Sequence, residues 1–251
     1  MWNWLRYQKI FEKTSEWFVV KEAELLAPTP LLKDLISILN LPDNIEREKK
    51  IIQFDLKIID ILQDNLDKIK KLNLPVSFNI YPETLVYLLN HKDWPQILDK
   101  LTYIKNELNW KFVLEIVENW KEIDFKEFEK IFKILWIEVS IDDVVSIYNC
   151  NLDNRYNNNH LLEKVKDITI KNKCVKYIKI DLLFSNYLCA NYTKLSDLYK
   201  FFEKIDKTLI FEWIESEEMI KTLEKYKEPY KKIKVFYQWF YLHKPEELWK
   251  E

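Results

Sequence analysis

Trp136-Ile137-Glu138-Val139-Ser140-Ile141-Asp142-Asp143 is the stretch whose reading decides the fold. Apolar residues alternate along it and run into two adjacent carboxylates, the pattern of a buried strand that ends in charge. Neighbouring side chains on a strand point to opposite faces. The two aspartates therefore meet at one site only where the strand stops and a loop begins. Like charges side by side are costly to bury without a cation or hydrogen bonds. A divalent metal at the strand's C-terminal end would meet that cost. A lone Asp-Asp pair is more often a solvated turn, so the weight falls on the other strand ends.

Upstream, residues 5–11 and 17–26 read as two strands about a turn at 13–16. Residues 31–40 form a short helix or loop, and 46–72 carry Ile51, Ile52, Leu56, Ile59, Leu62, Leu66 and Ile69 at helical spacing. Strands follow at 75–80 and 112–116, with helices from Pro82, over 95–107 and over 124–135. Pro82 suits a first helical turn. Downstream, the Asn-rich segment 149–160 reads as a loop and 161–172 as a helix. Strands at 175–181, 208–212 and 233–238 are separated by helices at 195–206 and 216–227. Short apolar strands alternating with amphipathic helices imply a parallel sheet. This many repeats in 251 residues imply closure into a barrel, read here as one domain over 1–251.

The strand ends carry, in order, Glu22, Asn79, Glu115, Asp142 with Asp143, Lys179 with Asp181, Glu212 and Gln238. In a barrel of this kind those ends share one mouth, where the active site sits. Several carboxylates, an amide and a lysine make an oxygen-rich site that suits Mg²⁺ or Mn²⁺ rather than zinc. Two such metals would activate a water and stabilise the leaving oxygen of a phosphodiester.

Composition narrows the partners. The net charge is −2 with both signs interspersed, which leaves no basic face for DNA or RNA. Cys150, Cys174 and Cys189 show no CxxC spacing, as expected of a reduced, cytoplasmic chain without structural zinc. No run reaches signal-peptide or membrane-spanning character. His91, His160 and His243 are scattered, which argues against a histidine-based metal site or a Ser-His triad.

The chain has no glycine, where average usage of about 7% would give roughly seventeen, and it has 10 tryptophans. Several stand beside turn-forming residues: Glu16-Trp17, Asp93-Trp94, Asn109-Trp110 and Asn119-Trp120. Glycine is favoured at such places because it accepts positive φ; tryptophan has no such merit. The pattern implies a genome that reads UGA as glycine, translated here with UGA as tryptophan. The Lys, Ile and Asn richness suits an AT-rich genome of that kind.

With these residues on the page, the chain resembles the EAL domain, the cyclic di-GMP phosphodiesterase barrel, over nearly its whole length. Glu22-Ala23-Glu24-Leu25 stands at the Glu-Ala-Leu signature, and Leu74 to Pro82 is similar to the family's LPVSVNLSP segment. Leu114-Glu115-Ile116-Val117-Glu118 resembles LEITE, Ile141-Asp142-Asp143 the DD motif and Ile178-Lys179-Ile180-Asp181 the IKID motif. Phe211-Glu212-Trp213-Ile214-Glu215 and Tyr237-Gln238-Trp239 resemble AEGVE and QGY. Trp136, Trp213 and Trp239 fall on family glycines, which supports the recoding independently of the turns.

The resemblance implies a TIM-like (β/α)8 barrel whose first strand runs antiparallel, and hydrolysis of cyclic di-GMP to the linear dinucleotide. It implies a first metal on Glu22, Asn79, Glu115 and Asp142, and a second on Asp142, Asp143 and Glu212. Lys179 would orient or activate the attacking water, while Glu118, Asp181, Glu215 and Gln238 would support the site. Three departures stand out. The signature Leu is Glu24, the family's phosphate-contacting Arg falls on Leu26, and the loop after the Asp pair reads VVSIYNCN in place of FGTGYSSL. In the family that loop couples metal binding to homodimerisation. Two further readings stay open: a catalytically inactive EAL module that binds cyclic di-GMP or a protein, and, more weakly, an unrelated barrel glycosidase. Lys179 and Asn79 suit the glycosidase poorly.

Overall fold

A computed structural model describes residues 5–42, 44–90, 94–109, 111–117, 128, 131–133, 135, 137–142, 175–238 and 243–248. Strands β1 (Arg6–Lys13) and β2 (Phe18–Leu26) form an antiparallel hairpin with a bulge between Ile10 and Phe11. Thr14 closes its turn: its backbone N–H donates to the Trp17 carbonyl at 2.8 Å. Next come β3 (Val76–Ile80), β4 (Phe112–Ile116), β5 (Glu138–Ile141), β6 (Val175–Ile180), β7 (Thr208–Phe211) and β8 (Lys234–Tyr237). Strands β2 to β8 pair in sequence order and all run parallel. β1 lies antiparallel between β8 and β2 and closes the ring. The expected TIM-like barrel with an antiparallel first strand is therefore the observed architecture. A two-residue strand, β9 (Glu246–Glu247), edges β1 outside the ring.

The helices are α1 (Thr29–Leu39), α2 (Ile45–Asp64), α3 (Leu66–Leu72), α4 (Pro82–Asn90), α5 (Trp94–Glu107), α6 (Leu182–Ala190), α7 (Tyr192–Phe202) and α8 (Glu217–Lys227). Asn44 starts α2 by accepting from the backbone N–H of Glu46 and Arg47, and Glu46 and Glu48 complement the helix dipole. Ile51, Phe54, Ile58, Ile59, Ile61 and Leu62 form its buried stripe. The span predicted as one helix over 46–72 breaks at Asn65, whose side-chain amide donates back to the Ile61 carbonyl at 2.8 Å. Asn73 ends α3 in the left-handed region at φ 49°. Helix α6 was not expected, because LLFSNYLCA is apolar nearly all round and lacks a 3.6-residue stripe. Between β4 and β5, residues 131–133 and 135 are helical; the helix expected at 161–172 and the loop at 149–160 lie outside the described residues. No described helix is long and apolar enough to cross a membrane.

Alternation along the strands sorts the side chains. Val76, Phe78, Ile80, Leu114, Ile116, Val139, Ile141, Ile178, Ile180, Leu209 and Phe211 face the helices in the main core. Ile10, Val113, Tyr177 and Ile210, with Phe236 against them, fill the middle of the barrel. This apolar plug lies below the mouth, with the buried Glu22 and Ser77 beside it.

Candidate active site

Parallel strands bring their C-terminal ends to one rim, and every strand carries an inward polar residue near it. They are Glu24 on β2, Asn79 on β3, Glu115 on β4, Asp142 after β5, Lys179 on β6, Glu212 after β7, Gln238 after β8 and Gln8 on β1. Lys179, 1% exposed, is their centre. Its Nζ stands 2.5 Å from Glu115 Oε1, 2.6 Å from Glu212 Oε1, 3.1 Å from Glu24 Oε2 and 3.6 Å from Asp142 Oδ1. Burial alone would lower the ammonium's proton affinity; Asp142, Glu115, Glu212 and Glu24 together outweigh it and hold Lys179 well above its ordinary value. The same burial drives Glu115 and Glu212 well above the usual carboxylate range, against the pull of Lys179. Four acidic side chains share one ammonium, and the raised proton affinity of Glu115 and Glu212 marks a cluster short of positive charge.

Amides steady the ring. Asn79 Nδ2 donates to Glu24 Oε1 at 3.0 Å, and Gln238 Nε2 donates to Glu24 Oε2 at 2.6 Å. Gln238 Nε2 also reaches Gln8 Oε1 at 3.3 Å, and Gln8 Nε2 donates to the His243 carbonyl at 3.3 Å. Asn79 Oδ1, Asp142 Oδ1 and Gln238 Oε1 are buried without a hydrogen-bond partner among the described residues. Buried acceptors left unmet are costly. An all-oxygen set with such acceptors fits a hard divalent cation. Among the described residues no three His, Cys, Asp or Glu side chains stand at metal-ligand spacing. Here the carboxylates gather on the Lys179 ammonium, a cation in its own right.

The sequence-predicted residues do not all converge. Asn79, Glu115, Asp142, Lys179, Glu212 and Gln238 do. Glu22 does not join the ring: it is two residues earlier on the same face of β2, about 7 Å deeper along the strand, and pairs across the ladder with Ile10 of the apolar plug. Burial raises its carboxyl to about 7, opposed by Lys179. Glu24 takes the rim position expected of Glu22. The signature triplet then becomes Glu24-Leu25-Leu26, which keeps its leucine, and the family arginine falls on Pro28 instead of Leu26. Asp181 caps α6 by accepting from the Phe184 N–H at 2.7 Å, and Glu215 is exposed. Asp143 and Glu118 lie outside the described residues.

Glu24, Gln8 and Arg6 were missed. The signal for Glu24 was available, since of two acids on one face of a parallel strand the later one lies nearer the mouth. Above the ring opens a cavity of about 500 Å³, walled by α1, α2 and the rim, with Leu32, Leu35, Phe54 and Ile58 on its apolar side. Asp55 on α2 props this wall. Its Oδ2 accepts from Tyr81 N–H at 2.9 Å and from Thr84 Oγ1 at 2.6 Å, fixing the turn between Asn79 and α4.

Trp213 follows Glu212 at the rim with φ 52°, in the left-handed region, and is 51% exposed. The other tryptophans read as glycine sites divide differently. At Asn109-Trp110 the left-handed residue is Asn109, φ 51°, and Trp110 lies outside the described residues. Trp94 opens α5. Trp17 is exposed but not at positive φ. Trp136 and Trp239 are not described.

No family model and no curated protein matches the sequence. Solved structures do share the fold. An EAL domain protein from Listeria monocytogenes EGD-e superposes with a TM-score of 0.62 at 15% identity, over 98% of this chain and 90% of that one. The phosphodiesterase PaMucR, in complex with c-di-GMP, gives 0.63 at 16% identity over 98% and 97%. Klebsiella pneumoniae BlrP1, with manganese and cyclic di-GMP, gives 0.62 at 16% identity over 96% of this chain and 55% of that one. The chain has the fold of these EAL domains.

Proposed function

We propose that this chain, an EAL-type barrel, is a metal-dependent phosphodiesterase that hydrolyses cyclic di-GMP to the linear dinucleotide. The observation that carries the reading is the rim. Its polar residues follow one another around the barrel in the order of the family's motifs, on the fold of structures solved with c-di-GMP. Glu24, Asn79, Glu115 and Asp142 would hold a first Mg²⁺ or Mn²⁺, and Asp142, Asp143 and Glu212 a second. When bound, such cations would supply charge that acidifies a nearby water and offsets negative charge on the phosphodiester.

The chain's own groups divide the remaining work. Lys179 is held charged by its carboxylates, so it serves as a hydrogen-bond donor that orients the attacking water and not as the base. Glu212, ion-paired to Lys179 at 2.6 Å, is the rim carboxylate beside that water and would take its proton. The water oxygen bonds to phosphorus, one ester P–O bond breaks, and the freed sugar oxygen takes up a proton from solvent. Gln8, Asn79 and Gln238 fix Glu24 while this happens. Assembly as a homodimer belongs to the same reading.

Incubation with cyclic di-GMP and Mn²⁺ or Mg²⁺, followed by separation of the linear dinucleotide, tests the proposal. A second reading, binding without turnover, is favoured by the Lys179 ammonium already sitting among the carboxylates. Binding of cyclic di-GMP with no cleavage at millimolar substrate would select it. We further infer that position 213 is glycine in the native protein, from its φ of 52° and the absence of glycine from the whole chain.

A further inference from the structure

We propose that Arg6 is the residue that binds the phosphodiester anion at the mouth; the inference rests on the phosphodiesterase reading above. The cavity over the carboxylate ring has two cationic side chains in its wall, Arg6 and Lys179. Lys179 is consumed by four carboxylates. Among the described residues, an anionic ligand entering over Glu24, Asp142 and Glu212 therefore meets one uncommitted positive group, and that group is Arg6. Its placement is built in: Arg6 starts β1 and pairs across the ladder with Leu26, at the mouth end of β2. Its Nε donates to the Ala27 carbonyl at 3.4 Å, and no described carboxylate forms an ion pair with it. Anchoring through Nε leaves the two terminal nitrogens of the planar fork, the geometry that grips a phosphate through two parallel hydrogen bonds. Pro28, which precedes α1, offers no charge on the far side of β2; Arg6 supplies one from the neighbouring strand.

The test is binding and turnover of cyclic di-GMP by the full chain and by Arg6→Met and Arg6→Lys. Binding is read by calorimetry in Ca²⁺, turnover in Mn²⁺. The expected result is a Kd and KM at least ten-fold higher in Arg6→Met, with partial recovery in Arg6→Lys and kcat changed less than KM. The parent's affinity should fall with added salt more steeply than that of Arg6→Met, and the Mn²⁺-induced rise in Tm should match in all three, which shows an intact fold. If the parent binds and both variants bind equally well, the Arg6 assignment is overturned and the phosphodiesterase reading survives. If the parent binds no cyclic di-GMP, both are overturned. A Tm response to Mn²⁺ lost in Arg6→Met would overturn the assignment in favour of a structural role, which Arg6→Lys would then share.

Discussion

Trp213 offers a measurement that isolates one backbone angle. A non-glycine residue in the left-handed region carries a penalty of about 1–2 kcal/mol, and Trp213 sits there at φ 52°. Replacing it by glycine removes the penalty but also the half-covered indole. A buried tryptophan covers about 150–250 Å², so half coverage at about 25 cal/mol per Å² is worth roughly 2–3 kcal/mol as an upper bound. The two effects nearly cancel, and Trp213→Gly alone says little about the backbone. Trp213→Ala loses the same indole and keeps the penalty. The comparison of the two variants therefore leaves the left-handed penalty less the roughly 0.4–1 kcal/mol by which glycine loosens the unfolded chain. Glycine should come out ahead by about 1 kcal/mol, or about 2–4 °C in Tm for a chain of this size. At an ordinary helical or extended position the order is reversed. Thermal unfolding by circular dichroism, backed by urea midpoints, decides it. Alanine as stable as glycine, or more so, would refute a left-handed site and remove the structural support for glycine at this position.

Three more outcomes are expected. Mn²⁺ should raise the Tm of the parent, since binding to the folded state alone adds RT ln(1 + [L]/Kd); Glu24→Gln and Asp142→Asn should abolish the rise while Glu22→Gln and Asp181→Asn keep it, and equal loss across all four would sink the ring assignment. Asp55 is raised by burial from 3.8 to about 7, so the fold favours its protonated form: its contribution is complete below about pH 4 and drains away as pH rises through 7. Asp55→Asn should therefore gain stability relative to the parent between pH 5 and pH 8, and parallel pH profiles in urea titrations would contradict this. Peptide mass spectrometry of protein from the native organism should find glycine at positions 94, 110, 136, 213 and 239, and tryptophan at all five ends the recoding account.

The barrel was legible because buried parallel strands show as short apolar runs, and because the polar residue closing each run marked the mouth. Asn79, Glu115, Asp142, Lys179, Glu212 and Gln238 were all found this way. Depth along a strand was not legible: alternation places Glu22 and Glu24 on one face without saying which reaches the rim. The hydrogen bonds that Asn79 and Gln238 donate to Glu24 supply that depth. Asp181 was read as part of the site because α6 was not foreseen, and without a helix to cap, an aspartate at a strand end looks like a ligand. Gln8 and Arg6 stayed hidden because β1 runs the other way, so its mouth-side residues come at its beginning instead of its end.

That reversed strand also governs the order of assembly. The β1–β2 hairpin is local, and hairpins form in about 1–10 μs. The seam between β1 and β8 joins Phe11 to Tyr237, and contacts so distant in sequence are slow to form because the chain entropy is spent before they reward it. The seam is also where Gln238 meets Glu24 and Gln8. A chain in which the β1–β8 seam is open therefore holds two incomplete halves of the rim, one on the hairpin and one on β3 to β8. Competence of the mouth and circular closure of the barrel arrive in the same kinetic event.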